Sequence, residues 1–339
     1  MQGKLLVAAL FASLPLIASA QSSVTVYGVA DAAIAREDTG AVNGSRTIVA
    51  SGNQSTSRVG FRGTEDIGGG LKAMFNLEAG VALDTGVGDT AGLFSRRAVV
   101  GLEGKFGLIT IGREYSPIAD IAGATDINGQ GFYGTNLNSF GSASNRLTRR
   151  LSNSVNYKSP TMSGVKVAAA YSAGETPTGA SLNLMGVSAS YTMGNLLLGA
   201  GYHNVERQLS GDDKEMIVGA AYKMGAIEFK GNYMSADPTG ANNQYEQINA
   251  GASYTFGANK VFGNFQRNEL ENGARGNGFS LAYAYTLSKR TNVYAAYANI
   301  SNNNLGVFAI SSAGSSVVPP ATAFGADPKA FTMGVRHSF

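Results

Sequence analysis

Hydrophobic and polar residues alternate with a period of two over most of the chain. In 279–287 every odd position is large and apolar and every even position is small or polar, and the same separation recurs in 71–79, 227–233 and 247–256. This period is typical of strands with two different faces. Alternation alone does not distinguish a soluble sandwich from a membrane barrel. The segments that fit it are sixteen, centred near Val24, Val59, Leu71, Val99, Ile109, Val155, Val167, Val187, Leu198, Val218, Ile227, Ile248, Val261, Phe279, Tyr294 and Met333.

The connections between these segments alternate in length. Seven are short, namely 66–70, 105–107, 159–163, 193–195, 224–225, 257–259 and 288–290. Eight are mostly longer and more polar, namely 36–56, 83–93, 114–148, 174–183, 207–213, 237–245, 270–276 and 302–328. Transmembrane β-barrels have short turns on one side and long loops on the other. The pattern therefore predicts an all-β fold, a 16-stranded antiparallel transmembrane barrel with both chain ends on the short-turn side.

The bilayer explains why the sheet has to close and which row has to face outward. Every backbone amide inside hydrocarbon must be paired within the protein, which an open sheet edge cannot achieve. A Lys or Arg that faced lipid at mid-depth would cost roughly 2 to 4 kcal/mol. The basic residues of the strands fall on the polar row, so we expect Arg62, Lys72, Lys166 and Lys230 to face the lumen. About sixteen strands enclose an aqueous channel rather than a packed core.

One connection, 114–148, is about 35 residues long and has neither helical nor strand periodicity. Loops of this length in a folded domain are commonly functional or disordered. This loop contains apolar residues that need burial, including Ile118, Ile121, Phe132 and Phe140. A wide barrel offers its own interior for that burial. We therefore expect the loop to fold inward and narrow the channel.

The N-terminal segment and the composition predict an exported protein. Lys4 precedes an apolar run that ends at Ala18-Ser19-Ala20, which predicts a signal peptide over 1–20 and a barrel domain over 21–339. No Cys is present, and a large hydrogen-bonded barrel needs no disulfide. Charged residues make up 14% of the chain, below the roughly 25% of soluble domains. The net charge is +3, or about +2 without the leader, which gives no support for a nucleic-acid partner.

No pattern for catalysis or for a cofactor stands out. The run Ile67-Gly68-Gly69-Gly70 lacks the Gly-Lys-Ser/Thr ending of a phosphate-binding loop and joins two strands, so it predicts a turn. His203 and His337 are far apart and have no ligand-spaced partner, which makes a metal site improbable. No spacing marks a nucleophile with its base. We expect no enzyme activity, no cofactor and no metal.

Several motifs resemble the trimeric general porins of Gram-negative outer membranes, especially those of β-proteobacteria. The similarity extends over the mature chain. It is carried by 23–28 with Asp31, by 57–73 (SRVGFRGTEDIGGGLKA), by 96–102 (RRAVVGL), by 112–117 (GREYSP), by 153–160 (NSVNYKSP) and by the ending 334–339 (GVRHSF). The Arg96-Arg97 pair doubles a position where the family has one Arg, and the short acidic motif of enterobacterial constriction loops is missing.

The resemblance implies a homotrimer whose third long loop, 114–148, forms a constriction with acids on the loop and cations on the opposite wall. Carried over by position, it implies the wall cations Arg58, Arg97 and Arg150, with Arg62 and Lys72 as neighbours. It implies Glu114, Asp120 and Asp126 as the loop acids. The terminal Phe339, on an outward row with Phe331, Met333 and Val335, resembles the signal that such barrels present to the outer-membrane assembly machinery.

The function predicted from these features is passive diffusion of ions and small hydrophilic solutes across a Gram-negative outer membrane, among its lipids, with a mild preference for anions. A channel selective for one substrate class, such as sugars, is an alternative that should show aromatics along the lumen rows. An exported adhesin or binding sandwich is an alternative from another class. Such a protein should be extractable without detergent.

Overall fold

The computed structural model describes residues 23–89, 91–143, 145–206, 211–240 and 243–339. The predicted signal peptide, 1–20, lies outside the described residues, as does part of the predicted 207–213 and 237–245 connections. No helix of the described chain is long or apolar enough to cross a membrane. The strands that build the sheet are β1 Ser23–Asp38, β2 Ser45–Ser51, β3 Arg58–Gly68, β4 Leu71–Gly80, β5 Arg97–Gly104, β6 Gly107–Tyr115, β7 Arg150–Lys158, β8 Val165–Ser172, β9 Leu184–Met193, β10 Leu196–Val205, β11 Asp213–Met224, β12 Ile227–Asp237, β13 Tyr245–Phe256, β14 Asn259–Leu270, β15 Arg275–Thr286, β16 Thr291–Asn302 and β19 Lys329–Ser338.

Each strand pairs antiparallel with its neighbours, and the sheet closes between β1 and β19, from Val29 opposite Ser338 to Asp38 opposite Lys329. The C-terminal half of β1, residues 32–38, pairs with β2, and the N-terminal half, residues 23–29, pairs with β3. β2 and β3 are thus one strand interrupted by residues 52–57. Counted in this way the barrel has sixteen strands, which confirms the predicted architecture.

The connections keep the predicted asymmetry with two corrections. The expected long loop 36–56 is instead a turn at 39–44 followed by β2, and the connection after β14 is only 271–274. The sequence did not indicate β2, because Gly, Asn and Ser surround its short apolar run, Ile48-Val49-Ala50. The long connection 303–328 contains a small hairpin of its own, β17 Ile310–Ser311 and β18 Ser316–Val317. Long connections and short turns lie at opposite ends of the barrel.

The apolar row faces outward, as predicted from alternation. In β15 Phe279 and Leu281 are 51% and 54% exposed, whereas Ser280 between them is 2% exposed. Arg62, Lys72, Lys166 and Lys230 occupy the same alternate positions as the inward polar residues of their strands. The buried apolar core lies inside the barrel, where the connection between β6 and β7 packs on the wall with residues such as Ile118, Tyr133, Ile217 and Ile300.

We predict that Leu281→Lys lowers the free energy of unfolding by about 2 to 4 kcal/mol, because the ammonium group would lie in the hydrocarbon layer. Thr286→Lys is the matched control, since Thr286 lies on the inward row of the same strand, opposite the neutral Asn292. Urea unfolding in lipid vesicles measures both variants. Equal losses for the two variants would contradict the assignment of the faces.

Candidate pore constriction

Residues 116–149 fold into the barrel, as the sequence predicts. Ser116 caps the helix α1 Pro117–Ala124 by accepting a hydrogen bond from the amide of Ala119, and Pro117 fits the first helical turn. Ile118 and Ile121 are buried against β10. The wall there carries Gly199 and Gly201, where an added Cβ would lie 2.9 Å from these isoleucines. The glycines therefore leave the space that the helix fills.

Asp126 holds the turn after α1 together and does not face the pore. Its carboxylate accepts hydrogen bonds from the amides of Asn128 and Gln130, at 3.1 and 2.9 Å, and from the Thr135 hydroxyl. The side chain is fully buried, and this burial raises the pKa of Asp126. The expectation that Asp126 is an acid of the constriction rim is therefore wrong. Aspartate favours turns because its side chain bonds the backbone two residues on, and the sequence does not distinguish that use from a lumen acid.

The rest of the loop crosses the lumen toward β16 and β1. The ring of Phe132 lies 5.4 Å from that of Tyr294, and the Tyr133 hydroxyl donates to Glu37 at 2.6 Å. Farther along, Ser139 donates to Gln247 at 2.6 Å. Buried polar groups need such partners. The polar inward rows of β12 to β16 provide them along the loop's path.

Both ends of the loop are held by one buried pair on the wall, His203 in β10 and Glu215 in β11. His203 Nδ1 lies 2.9 Å from Glu215, and its Nε2 accepts from the amide of Ile118 at 3.5 Å. Glu215 also accepts from the amide and the hydroxyl of Thr148, at 2.8 and 2.7 Å. The tautomer that suits both contacts carries its hydrogen on Nδ1, which then donates to Glu215. We name these two residues the loop anchor; neither was predicted, since their strands lie far from the loop in sequence.

Two further segments enter the lumen and meet the loop. Residues 52–57, which interrupt the strand β2–β3, bring the amides of Gln54 and Ser55 to the carboxylate of Asp31 at 3.1 and 2.7 Å. Residues 312–315, in the tip of the hairpin β17–β18, approach from the other side. The amide of Ala313 donates to Gly131 O at 2.7 Å. Three segments thus lie inside the lumen, of which sequence analysis found one.

A cluster of arginines, which we call the arginine wall, lies at the beginning of β3, β5 and β7 and at the end of the inward loop. It consists of Arg58, Arg96, Arg97, Arg149 and Arg150. Glu78 pairs with Arg96 at 2.7 Å and with Arg58 at 3.5 Å. The Tyr115 hydroxyl accepts from Arg96 and Arg150, at 3.1 and 2.9 Å. Sequence analysis named Arg58, Arg97 and Arg150 but not Arg96, Arg149, Glu78 or Tyr115. The Arg96-Arg97 doublet was the available signal.

Charge on this wall is unbalanced. Five guanidiniums face two carboxylates, Glu78 and Glu114. Asp89 in the 81–96 connection is close enough for Arg150 and Arg96 to add to the lowering of its pKa, which is due first to the Ser95 hydroxyl. Counting Asp89, positive charges still exceed negative ones. Burial and the neighbouring Arg150 lower the pKa of Arg149, yet a guanidinium keeps its proton at neutral pH.

The predicted acids do not stand opposite these arginines. Glu114 is buried at the end of β6 and pairs with Arg97 on the same wall, which corrects its expected place on the loop rim. Asp120 on α1 is the exposed acid of the loop, and its carboxylate lies 2.6 Å from Lys158 Nζ at the short-turn end of β7. Both acids are therefore already neutralised by a basic neighbour.

Two predicted cations lie outside the cluster. The Arg62 guanidinium sits 5.1 Å from the centre of the Tyr27 ring, four positions below Arg58 in β3. Lys72 is six positions from Glu78 in β4, about 20 Å at roughly 3.3 Å per residue, near the short turn. The structure does not bring Lys72 to the constriction. Phe339 lies on the outward row, and its backbone exchanges two hydrogen bonds with Gly28.

Comparison with known proteins agrees with this architecture. A family model described as Gram-negative porin matches residues 5–305. The chain belongs to the Gram-negative porin family. Outer membrane porin protein 32 of Delftia acidovorans is 28% identical to this porin, over 95% of each chain. An outer membrane porin protein of Bordetella pertussis is 29% identical, over 87% of this chain and 93% of the relative. The porin is accordingly an outer-membrane protein that forms a diffusion channel.

Solved structures show the same barrel. An anion-selective porin from Comamonas acidovorans superposes with a TM-score of 0.82 at 26% identity, covering 94% of this porin and all of that chain. OmpT of Vibrio cholerae, solved in a trimer form, superposes with a TM-score of 0.67 at 18% identity, covering 94% of this porin and 99% of that chain, and shares the fold. The matching family and the relatives from Delftia, Bordetella and Comamonas are described as porins. In the described residues there is also no cluster of side chains that could hold a metal ion.

We predict that Glu215→Ala loosens the inward loop, because the substitution leaves His203 and Thr148 without the acceptor that positions them. Buried donors left unpaired cost about 1 to 3 kcal/mol each. Single-channel recordings should show larger current fluctuations than in the native porin. Glu269→Ala, on the outward row of β14, is the control and should leave the recordings unchanged. Native-like current noise in Glu215→Ala would contradict the anchoring role.

Proposed function

We propose that this porin is a homotrimeric, water-filled channel whose arginine wall gives it a mild preference for small anions. The excess of guanidiniums over carboxylates on this wall carries the proposal. Charged side chains around a pore set its selectivity, because an ion passing within a few ångströms is only partly screened by solvent. The Comamonas relative, which is described as anion-selective, supports the same direction.

The acidic side chains near the arginine wall and in the inward loop are buried or paired, which supports the proposal. Glu78 and Glu114 are buried beneath their arginines, so they fix the guanidiniums in place and offer little charge to a passing cation. Asp126 is enclosed by its own turn. Of the two loop acids, only Asp120 remains in contact with solvent, and Lys158 neutralises it. The loop therefore presents little negative charge opposite the arginine wall, and a passing solute meets mainly the positive charge of that wall.

The proposal also covers export, assembly in the outer membrane and the passage of solutes. Residues 1–20 direct export and are removed. Phe339, at the end of the outward row of β19, presents the chain to the assembly machinery of the outer membrane. The family membership argues against the adhesin, the alternative from another class. Small hydrophilic solutes then pass by diffusion through the opening between the loop and the arginine wall.

In a tenfold KCl gradient, we predict a reversal potential of the sign for chloride preference. Replacing Arg96 and Arg150 by Gln should move the reversal potential toward zero, because two of the five wall charges are lost. Preference should also weaken at high salt, since the screening length falls from about 10 Å at 0.1 M to about 3 Å at 1 M. Arg275→Gln is the control, because Arg275 is exposed on the outward row of β15. A cation-selective native channel would contradict the proposal.

We also predict that the detergent-extracted porin migrates as a trimer without heating and as a monomer after heating. The resemblance to trimeric porins and the trimer form of Vibrio cholerae OmpT support this stoichiometry. Chemical crosslinking with mass measurement checks the stoichiometry. A crosslinked product no larger than one chain would exclude the homotrimer and leave the channel proposal standing.

A further inference from the structure

A cavity of about 1000 Å³ lies on the long-loop side of the constriction. We call it the vestibule. It is lined by the end of the inward loop, by the connection after β14 and by the connection 303–328. Its volume is at the upper end of the roughly 300 to 1000 Å³ that small-molecule sites occupy. Arg149 and Arg150 of the arginine wall belong to its lining, so a solute coming from the long-loop side meets the first residues of the wall inside this cavity.

One side of the vestibule is cationic and has no acid in its lining. Four of its lining residues are arginines, and in the described chain no Asp or Glu lines it. Their guanidiniums donate to neutral atoms. Arg113 donates to Ser152 Oγ, Arg146 to Asn145 O, Arg149 to Gln130 Oε1 and Arg150 to Arg96 O, at 2.6, 2.6, 2.8 and 3.1 Å. Among the ion pairs of the described residues, none involves these four side chains.

The other side of the vestibule is apolar and open to solvent. Leu305, Val318 and Phe324, all in the connection 303–328, are 53%, 59% and 62% exposed. Leu137 and Phe140 of the inward loop face the same cavity and are half-buried. Lipid explains the exposed apolar residues of the strands, but these five line an aqueous cavity. Large exposed apolar residues grouped beside polar ones mark a binding surface.

We propose that the vestibule binds organic anions that carry an apolar body, such as aromatic or branched aliphatic carboxylates, before they pass the constriction. The carboxylate meets guanidiniums that form no direct ion pair among the described residues, and the body rests on the apolar side. Chloride or acetate can use only the first of these contacts. The inference rests on the proposed anion preference, since it names the class of anion that this preference favours.

The physical basis is the combination of two weak contacts in one cavity. An Arg–carboxylate hydrogen bond is strengthened because both partners are charged. An apolar contact the size of one methylene changes binding by roughly tenfold or more. A benzoate ion should thus bind several-fold to tenfold more tightly than acetate. A neutral or cationic compound of the same shape lacks the ionic contact and should bind weakly.

Block of the KCl current in planar bilayers tests this inference. Sodium benzoate, sodium acetate, benzyl alcohol and benzylammonium chloride are each added on the long-loop side, and the concentration for half block is measured. We expect benzoate to block at about one tenth of the acetate concentration. The alcohol and the ammonium compound should require at least the concentration that acetate does.

Two variants separate the two sides of the site. Leu305→Ser with Phe324→Ser should raise the half-block concentration of benzoate toward that of acetate and leave the KCl reversal potential unchanged. Arg146→Gln should raise it for both carboxylates. Val42→Ser is the matched control, because Val42 is 93% exposed in the turn 39–44 and does not line the vestibule. Both loop substitutions are at exposed positions, so the barrel should fold.

Several outcomes would overturn the site. They are equal block by benzoate and acetate, equal block by benzoate and benzyl alcohol, or benzoate block that survives the Leu305/Phe324 double substitution. Any of them can occur together with a chloride-preferring reversal potential, in which case the proposed function stands without the vestibule site. A cation-preferring reversal potential with intact benzoate block would instead reject the proposed anion preference and support the vestibule site.

Discussion

Backbone hydrogen bonding in a medium that offers no partners is the constraint on which this structure depends. Hydrocarbon cannot satisfy an amide, so the strands pair in sequence and β19 returns to β1. Closure places one side chain of every two inside. Because that interior is wet and polar, it can accept a second layer of chain. The inward loop, residues 52–57 and the hairpin tip are such a layer, held by polar side chains of the wall.

The net positive charge beside the inward loop follows from the contacts that hold this second layer in place. The loop uses its acids and amides in internal turns and in contacts with the wall, as Asp126 shows. The wall opposite keeps a surplus of guanidiniums, arranged around Tyr115 and partly paired with buried glutamates. Positions of arginines are therefore set by structural contacts, and their uncompensated charge is what a solute encounters.

The period-two alternation, combined with the alternating short and long connections, was sufficient to predict the barrel and its faces, because hydrocarbon and water impose the alternation residue by residue. The inward loop was predicted from the long segment 114–148, which lacks any periodicity and contains apolar residues that need burial. It could not predict the strand break at 52–57, where Asp31 binds two amides from a distant segment. Nor could it place Glu114 and Asp126, since a carboxylate looks the same in sequence whether it faces water or caps a turn. His203 and Glu215 act through neighbouring strands, which local patterns do not reveal.

The glycines behind α1 have a consequence for the size of the opening. Gly199 and Gly201 in β10, Gly219 in β11 and Gly251 in β13 let the loop lie almost against the backbone of the wall. A side chain added at any of these positions would need space that residues of the loop now fill, so the loop residues in contact would have to shift. The distance between the loop and the wall behind it, and with it the width of the passage, therefore depends on residues that no solute touches. Relatives could widen or tighten their sieves by exchanging these small residues while every charge at the rim stays the same.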